Sequence, residues 1–315
     1  MIALDRRMFF VLLAAFGVVP GAAARPWPDS SSRIVVFSDQ LQPNLTAVQR
    51  QFAATNLAGT QKLRRSEIQA IRTYNTNFLC LHYQLGVGTG PELFVDGDSW
   101  SSDWDFVNTQ SNWFLYNPQT QRVYHTTWNW YLMDVTYTNG LPRTGFPEYW
   151  ITTCLARIRS AEDDGVFADS FTQDAYSFGF CNPSHPWIED LGLCWSNWIP
   201  ALHAFGGACR TAFEADPGGF LYLPNLGAMV TTWDPTDFGI GHGGMIEGFC
   251  YWGSGSYFPV DDWRLQMDRA LALVRTGKTV ICQSYPDTSA YTDRMFAVAS
   301  YLLIKGARTY LCLLT

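Results

Sequence analysis

The chain has 315 residues, is 47% apolar and 16% charged, and carries a formal net charge of −7. That length and apolar content suffice for one large core, and the acidic balance argues against nucleic acids and anionic membranes as partners. The eight cysteines contain no Cys-x-x-Cys spacing and the five histidines are scattered, so neither a metal nor a cofactor is expected.

The amino terminus pairs Arg6 and Arg7 with an apolar run from Met8 to Val19, followed by small residues at Ala22 and Ala24. This is the layout of a secretory signal over residues 1–24, with a mature domain from 25 to 315. No later run is long enough to span a bilayer. An exported, extracellular or periplasmic chain is compatible with disulfides. Cys181 and Cys194, which bracket a polar loop, form the best local pair, whereas Cys80, Cys282 and Cys312 sit in apolar strand-like runs as small buried hydrophobes.

Beyond the signal, strand-like and helix-like segments alternate. Residues 33–39 read as the first strand, 48–63 as a helix, 66–73 as a short helix and 77–86 as the second strand. A long Gly/Trp/Asp-rich loop covers 86–130, and 130–136 reads as the third strand. A helix over 147–159 leads to the fourth strand, 165–170, and a helix near 197–214 leads to the fifth, 219–226. The sixth strand is 244–249. Helix 261–276 precedes the seventh strand, 278–285, and helix 292–305 precedes the eighth, 307–314. Eight strands with helical connections predict an α/β fold, a (β/α)8 TIM barrel ending at its eighth strand.

In such barrels the active site lies at the carboxyl ends of the strands. Those ends are polar here: Asp39, His82 with Tyr83, Asp134, Asp169, Asn225, Glu247, and Gln283 with Tyr285. Any one of them could be a cap or an ion-pair member, but the series together fits a polar substrate in the barrel mouth. Cleavage of a glycosidic bond requires one ionised carboxylate and one protonated carboxyl on opposite walls of a sugar pocket. Asp169 and Glu247, two strands apart, are the candidates for nucleophile and acid. Met245, Ile246 and Phe249 give Glu247 the apolar setting that raises a carboxyl pKa. Asp134 is read as a hydrogen-bond partner of the sugar on the strand beside the nucleophile's.

Trp104, Trp113 and Trp128 in the long loop, and Tyr251 and Trp252 after the sixth strand, are candidate platforms for pyranose rings. For any loop Trp the competing role is to pin the loop to the barrel. The candidate substrate-binding set is therefore Asp39, His82, Tyr83, Trp104, Trp113, Trp128, Asp134, Asn225, Tyr251, Trp252 and Gln283. A polysaccharide or oligosaccharide is the expected substrate and a monomer the expected state. A barrel that binds glycan without cleaving it is the alternative.

The stretches Phe78–Gly86, Asn112–Asn117, Tyr131–Thr136 and Asp164–Ser170 resemble the hypothetical glycosyl hydrolase family 15, a barrel family near the α-galactosidases and α-1,4-polygalactosaminidases. The resemblance implies a glycosidase with Asp169 as nucleophile and Glu247 as acid/base. It also implies retention at an α-linkage.

Overall fold

The computed structural model describes residues 23–91, 103–116, 120–125, 130–171, 198–230 and 239–314. Strand β1 (Val36–Gln40) leads into helix α1 (Ala47–Asn56), whose first turn is closed by a capping box between Thr46 and Gln49. The chain then enters β2 (Leu57–Gln61), α2 (Arg65–Arg72) and β3 (Leu79–Leu85). A side layer follows, made of β4 (Gly88–Thr89), α3 (Trp104–Val107), β5 (Tyr124–His125), β6 (Trp130–Leu132) and the hairpin of β7 (Tyr137–Thr138) and β8 (Leu141–Pro142). The remaining units are α4 (Phe146–Ala161), β9 (Gly165–Asp169), α5 (Ile199–Ala215), β10 (Leu221–Pro224), β11 (Gly243–Glu247), α6 (Val260–Arg275), β12 (Thr279–Ser284), α7 (Tyr291–Ile304) and β13 (Thr309–Leu313).

Eight parallel strands run in the order β10-β9-β3-β2-β1-β13-β12-β11. A parallel bridge between Asn225 and Met245 joins the two ends of that sheet, and Val36 opposite Leu311 joins the first strand to the last. The result is the expected (β/α)8 barrel. Its interior is filled by Val35, Phe37, Leu79, Leu81, Phe167, Leu223, Met245, Ile281 and Tyr310. Alternate residues of the same strands, such as Cys80, Cys282 and Leu311, pack outward against the helices.

The strand count agrees with the sequence reading, but two of its members differ. Residues 57–61 form the second barrel strand rather than the end of a helix. Leu57-Ala58-Gly59-Thr60-Gln61 has little strand propensity of its own, and position 59 shows why it is in the sheet. A Cβ on Gly59 would lie 2.5 Å from the carbonyl oxygen of Leu79, so only glycine permits this approach of β2 to β3. Residues 130–136, expected as the third barrel strand, instead supply β6 to a three-stranded antiparallel sheet in the order β4-β6-β5. One strand unrecognised and one misplaced leave Asp169 on the fourth barrel strand and Glu247 on the sixth.

The cysteines behave as buried thiols. Cys80, Cys154, Cys209, Cys250, Cys282 and Cys312 are all free and buried, so none of these six forms a disulfide. Cys181 and Cys194 lie outside the described residues. Among the described residues no helix is long and apolar enough to cross a membrane, and no cluster of His, Cys, Asp or Glu is arranged to hold a metal.

Candidate active site

Asp169 is the last residue of β9 and Glu247 the last of β11, with β10 between them. Asn225, one residue past β10, stands between the two acids. Its side-chain nitrogen donates to Oδ1 of Asp169 at 2.9 Å and to Oε2 of Glu247 at 2.5 Å. Its own Oδ1 accepts the backbone N–H of Gly227 at 2.9 Å, which orients the amide with its NH2 toward the acids. The two bonds sum to about 5.4 Å, the farthest apart those two carboxylate oxygens can lie.

Each acid has its own further support. Tyr83 donates its phenol to Oδ2 of Asp169 at 2.6 Å, and the N–H of Ser170 donates to Oδ1 at 2.7 Å. Ser170 holds a left-handed backbone, φ 52°, a conformation non-glycine residues seldom adopt outside functional or tightly constrained turns. Glu247 accepts the phenol of Tyr285 at 2.5 Å, and that phenolic oxygen accepts the side-chain N–H of Gln283 at 2.7 Å. Burial raises the Glu247 carboxyl above the usual range, and the neighbouring charge of Asp169 raises it further. Hydrogen bonds from Tyr285 and Asn225 act in the opposite direction without reversing the result. The phenols of Tyr83 and Tyr285 are raised too, foremost by burial and next by the acids they serve, so both stay donors at neutral pH.

A third acid completes the rim. Asp39, at 6% exposure, accepts the side-chain N–H of Gln61 and pairs with the Lys62 ammonium at 3.2 Å. Lys62 also stands 4.9 Å from the centre of the Tyr83 ring, so its charge reaches the phenol that holds Asp169. Gln61 and Lys62 were not found by sequence reasoning, because their strand was assigned to a helix.

The structure thus brings together Asp39, Tyr83, Asp169, Asn225, Glu247 and Gln283 from the predicted set. Trp252 is near them. It is 51% exposed, and a Cβ on Gly248, the residue after Glu247, would touch its ring at 2.8 Å. Five others belong elsewhere. His82 alternates with the inward-facing Tyr83 and so points outward; it is wholly buried, with Nδ1 3.9 Å from Oδ2 of Asp163. Tyr251 is wholly buried among the helices, its hydroxyl donating to the carbonyl of Asp293. Asp134 follows β6 of the side sheet, not a barrel strand, and its carboxylate accepts the N–H and hydroxyl of Thr136. Trp104 stacks on Tyr131 at 5.3 Å and so ties the loop to the side sheet, whereas Trp113 packs among Phe106, Phe146 and Tyr149 and ties it to α4. Trp128 lies outside the described residues.

The model of the hypothetical glycosyl hydrolase family 15 matches residues 72–315. The chain belongs to that family. It is accordingly a glycoside hydrolase with a carbohydrate substrate. Among solved structures, the glycoside hydrolase domain of PelA from Pseudomonas aeruginosa is similar in fold. Its TM-score is 0.51 at 14% sequence identity, over 90% of this chain and 95% of that one. A glutamate-to-alanine variant of the PelA domain matches at 15% identity with the same TM-score and coverage. No curated protein matches this member of the family. The family match begins at Arg72, so it spans β3 onward and takes in every acid at the mouth except Asp39.

Proposed function

We propose that the chain is an exported, retaining glycosidase that cleaves an α-linked polysaccharide, with Asp169 as nucleophile and Glu247 as acid/base. The observation that carries this reading is the single amide of Asn225 donating to both carboxyl groups. Retaining enzymes hold their two carboxyls about 5–5.5 Å apart, whereas inverting enzymes leave about 6.5–9.5 Å for a water between them. A shared donor favours the shorter spacing.

In the first step an oxygen of Asp169 bonds to the anomeric carbon while the bond to the leaving oxygen breaks. Glu247 gives that oxygen its proton, a role suited to a carboxyl whose pKa burial raises. In the second step Glu247, now ionised, takes a proton from water, whose oxygen attacks the anomeric carbon and releases Asp169. Tyr83, Asn225 and the Ser170 N–H fix the nucleophile without a change of partner, which is the preorganisation such chemistry uses. An extended substrate is supported by the exposed face of Trp252 beside Glu247. The α-linkage rests on the family resemblance, and export rests on the signal-like amino terminus.

The test is to assay Asp169→Asn and Glu247→Gln for release of reducing ends from a panel of α-linked polysaccharides, and to follow the anomer first formed by NMR. Loss of activity in both variants and first appearance of the α-anomer are expected. Activity surviving Asp169→Asn, or initial formation of the β-anomer, would overturn the assignment.

A further inference from the structure

The amino ends of the barrel strands carry a second cluster of charge, remote from the mouth. Asp163 and Asp164, just ahead of β9, have side chains with no exposure. Asp164 accepts the guanidinium of Arg72 at 2.9 Å, the guanidinium of Arg25 at 3.1 Å and the backbone N–H of Cys80 at 2.8 Å. The Asp163 carboxyl, raised foremost by burial, lies beside the Cys80 thiol and 3.9 Å from Nδ1 of His82. Both arginines lean on Asp164, so their charge converges on that one carboxylate.

One further donor reaches the cluster. The backbone nitrogen of Arg25 lies 2.8 Å from Oδ1 of Asp164. Arg25 is also the residue after Ala24, the end of the small-residue motif that closes the signal-like segment. Its position is fixed from both sides. The guanidinium donates to the carbonyls of Thr76 and Glu162, and Pro26 restricts Arg25 to an extended backbone. The chain beyond then closes the barrel floor. Trp27 packs on Phe37 and Tyr310, Tyr310 donates to the carbonyl of Pro28, and Ser30 bonds to Gly306 and Thr309.

We infer that signal cleavage between Ala24 and Arg25 creates an α-ammonium that docks on Asp164 and completes this buried cluster, making the mature amino terminus a structural charge of the fold. The peptidase adds water across the Ala24–Arg25 bond, leaving a carboxylate on the departing Ala24 and an ammonium on Arg25. The nitrogen already within bonding distance of Asp164 changes from a neutral amide to a cation with three donors, and charge-assisted hydrogen bonds are roughly twice as strong as neutral ones. Release of Ala24 gives up its N–H bond to the carbonyl of Gly218 at 2.8 Å, a neutral contact. This inference rests on the export reading and is independent of the glycosidase assignment.

The test begins with the intact mass and amino-terminal sequence of the exported protein, where Arg25 is expected as the first residue. Chains starting at Arg25 with a free amine, prepared by scarless release from a fusion, are then compared with chains carrying Gly-Ser ahead of Arg25. The free-amine form is expected to melt at least about 2 °C higher, and the difference is expected to vanish when both carry Asp164→Asn. Because Asp164→Asn could prevent folding, reductive methylation supplies a second reading. The Arg25 amine of the native protein is expected to react at least about tenfold more slowly than after denaturation. A first residue other than Arg25, equal melting temperatures, a difference that persists in Asp164→Asn, or an amine that reacts equally in the native and denatured protein would each overturn the inference.

Discussion

Tyr285 donates its phenolic hydrogen to Glu247 at 2.5 Å and in turn accepts a side-chain N–H from Gln283 at 2.7 Å. The bond steadies the ionised form of the acid, so it works against the burial that raises the carboxyl. Tyr285→Phe keeps the ring and removes the donor. With the ionised form less supported, the pKa of Glu247 moves further up, and the basic limb of the pH–rate profile, set by loss of the acid's proton, moves to higher pH. The profile of kcat/KM for wild type and variant reads this directly; an unmoved or lowered limb would show that another group sets it.

Replacing Asn225 by Ala removes the one donor that both carboxyls share. A hydrogen bond to a charged group contributes about 1.5–3 kcal/mol. A fall in kcat of about ten- to a hundredfold is therefore expected, with folding intact by circular dichroism. Tyr83→Phe removes one donor from Asp169 alone and is expected to cost less than Asn225→Ala. Lys62→Met, which acts only through Tyr83 and Asp39, is expected to cost less again.

Glu247 also stores instability. Its folded-state pKa lies above the unfolded value, so the protein is most stable with this group protonated. It loses that stability as pH rises from the unfolded pKa, about 4.3, through the raised folded one. Glu247→Gln removes the ionisation. The variant is expected to melt above wild type at pH 7, and the gap is expected to close toward about pH 4. Thermal melts across that range check the sign.

Gly248 has a φ of +74° and no room for a Cβ, since the ring of Trp252 lies against it. Gly248→Ala should both strain the turn after Glu247 and push the ring aside. The expected result is a KM increase for a long glycan, matched by Trp252→Ala, with a smaller effect on a short glycoside. Equal effects on both substrates would remove Trp252 from the binding surface.

Arg72 is the buried cation on Asp164, at 7% side-chain exposure. Arg72→Met leaves that carboxylate with one guanidinium, and breaking a buried pair typically costs about 3–5 kcal/mol. A correspondingly lower denaturation midpoint is expected, read by urea titration.

The two acids were legible from sequence because the feature that marks them is local: a short apolar strand ending in a carboxylate. Parity was also legible in principle. His82 and Tyr83 are neighbours on one strand, so they face opposite sides, and Leu79 and Leu81 set Tyr83 inward. The identity of the strands themselves was not. Trp130–Leu132 has the stronger intrinsic preference for a strand and forms one, but nothing local says which sheet it joins. Leu57–Gln61 owes its strand to contacts with β1 and β3, as Gly59 against Leu79 demonstrates. Lys62, the cation beside the Tyr83 ring, was hidden with it. Trp104 and Trp113 looked like ligand platforms because stacking on a sugar and packing against Tyr131 or Tyr149 use the same ring.

The seam between Val36 and Leu311 has a consequence for the newborn polypeptide. The first strand made waits for the last before its second edge is covered, and Trp27 waits for Tyr310. A product stalled or clipped short of Leu311 keeps an open row of amides and carbonyls beside an unstoppered bore. Such an edge invites strands from other molecules, so incomplete copies should precipitate or be degraded rather than survive as weakened enzymes.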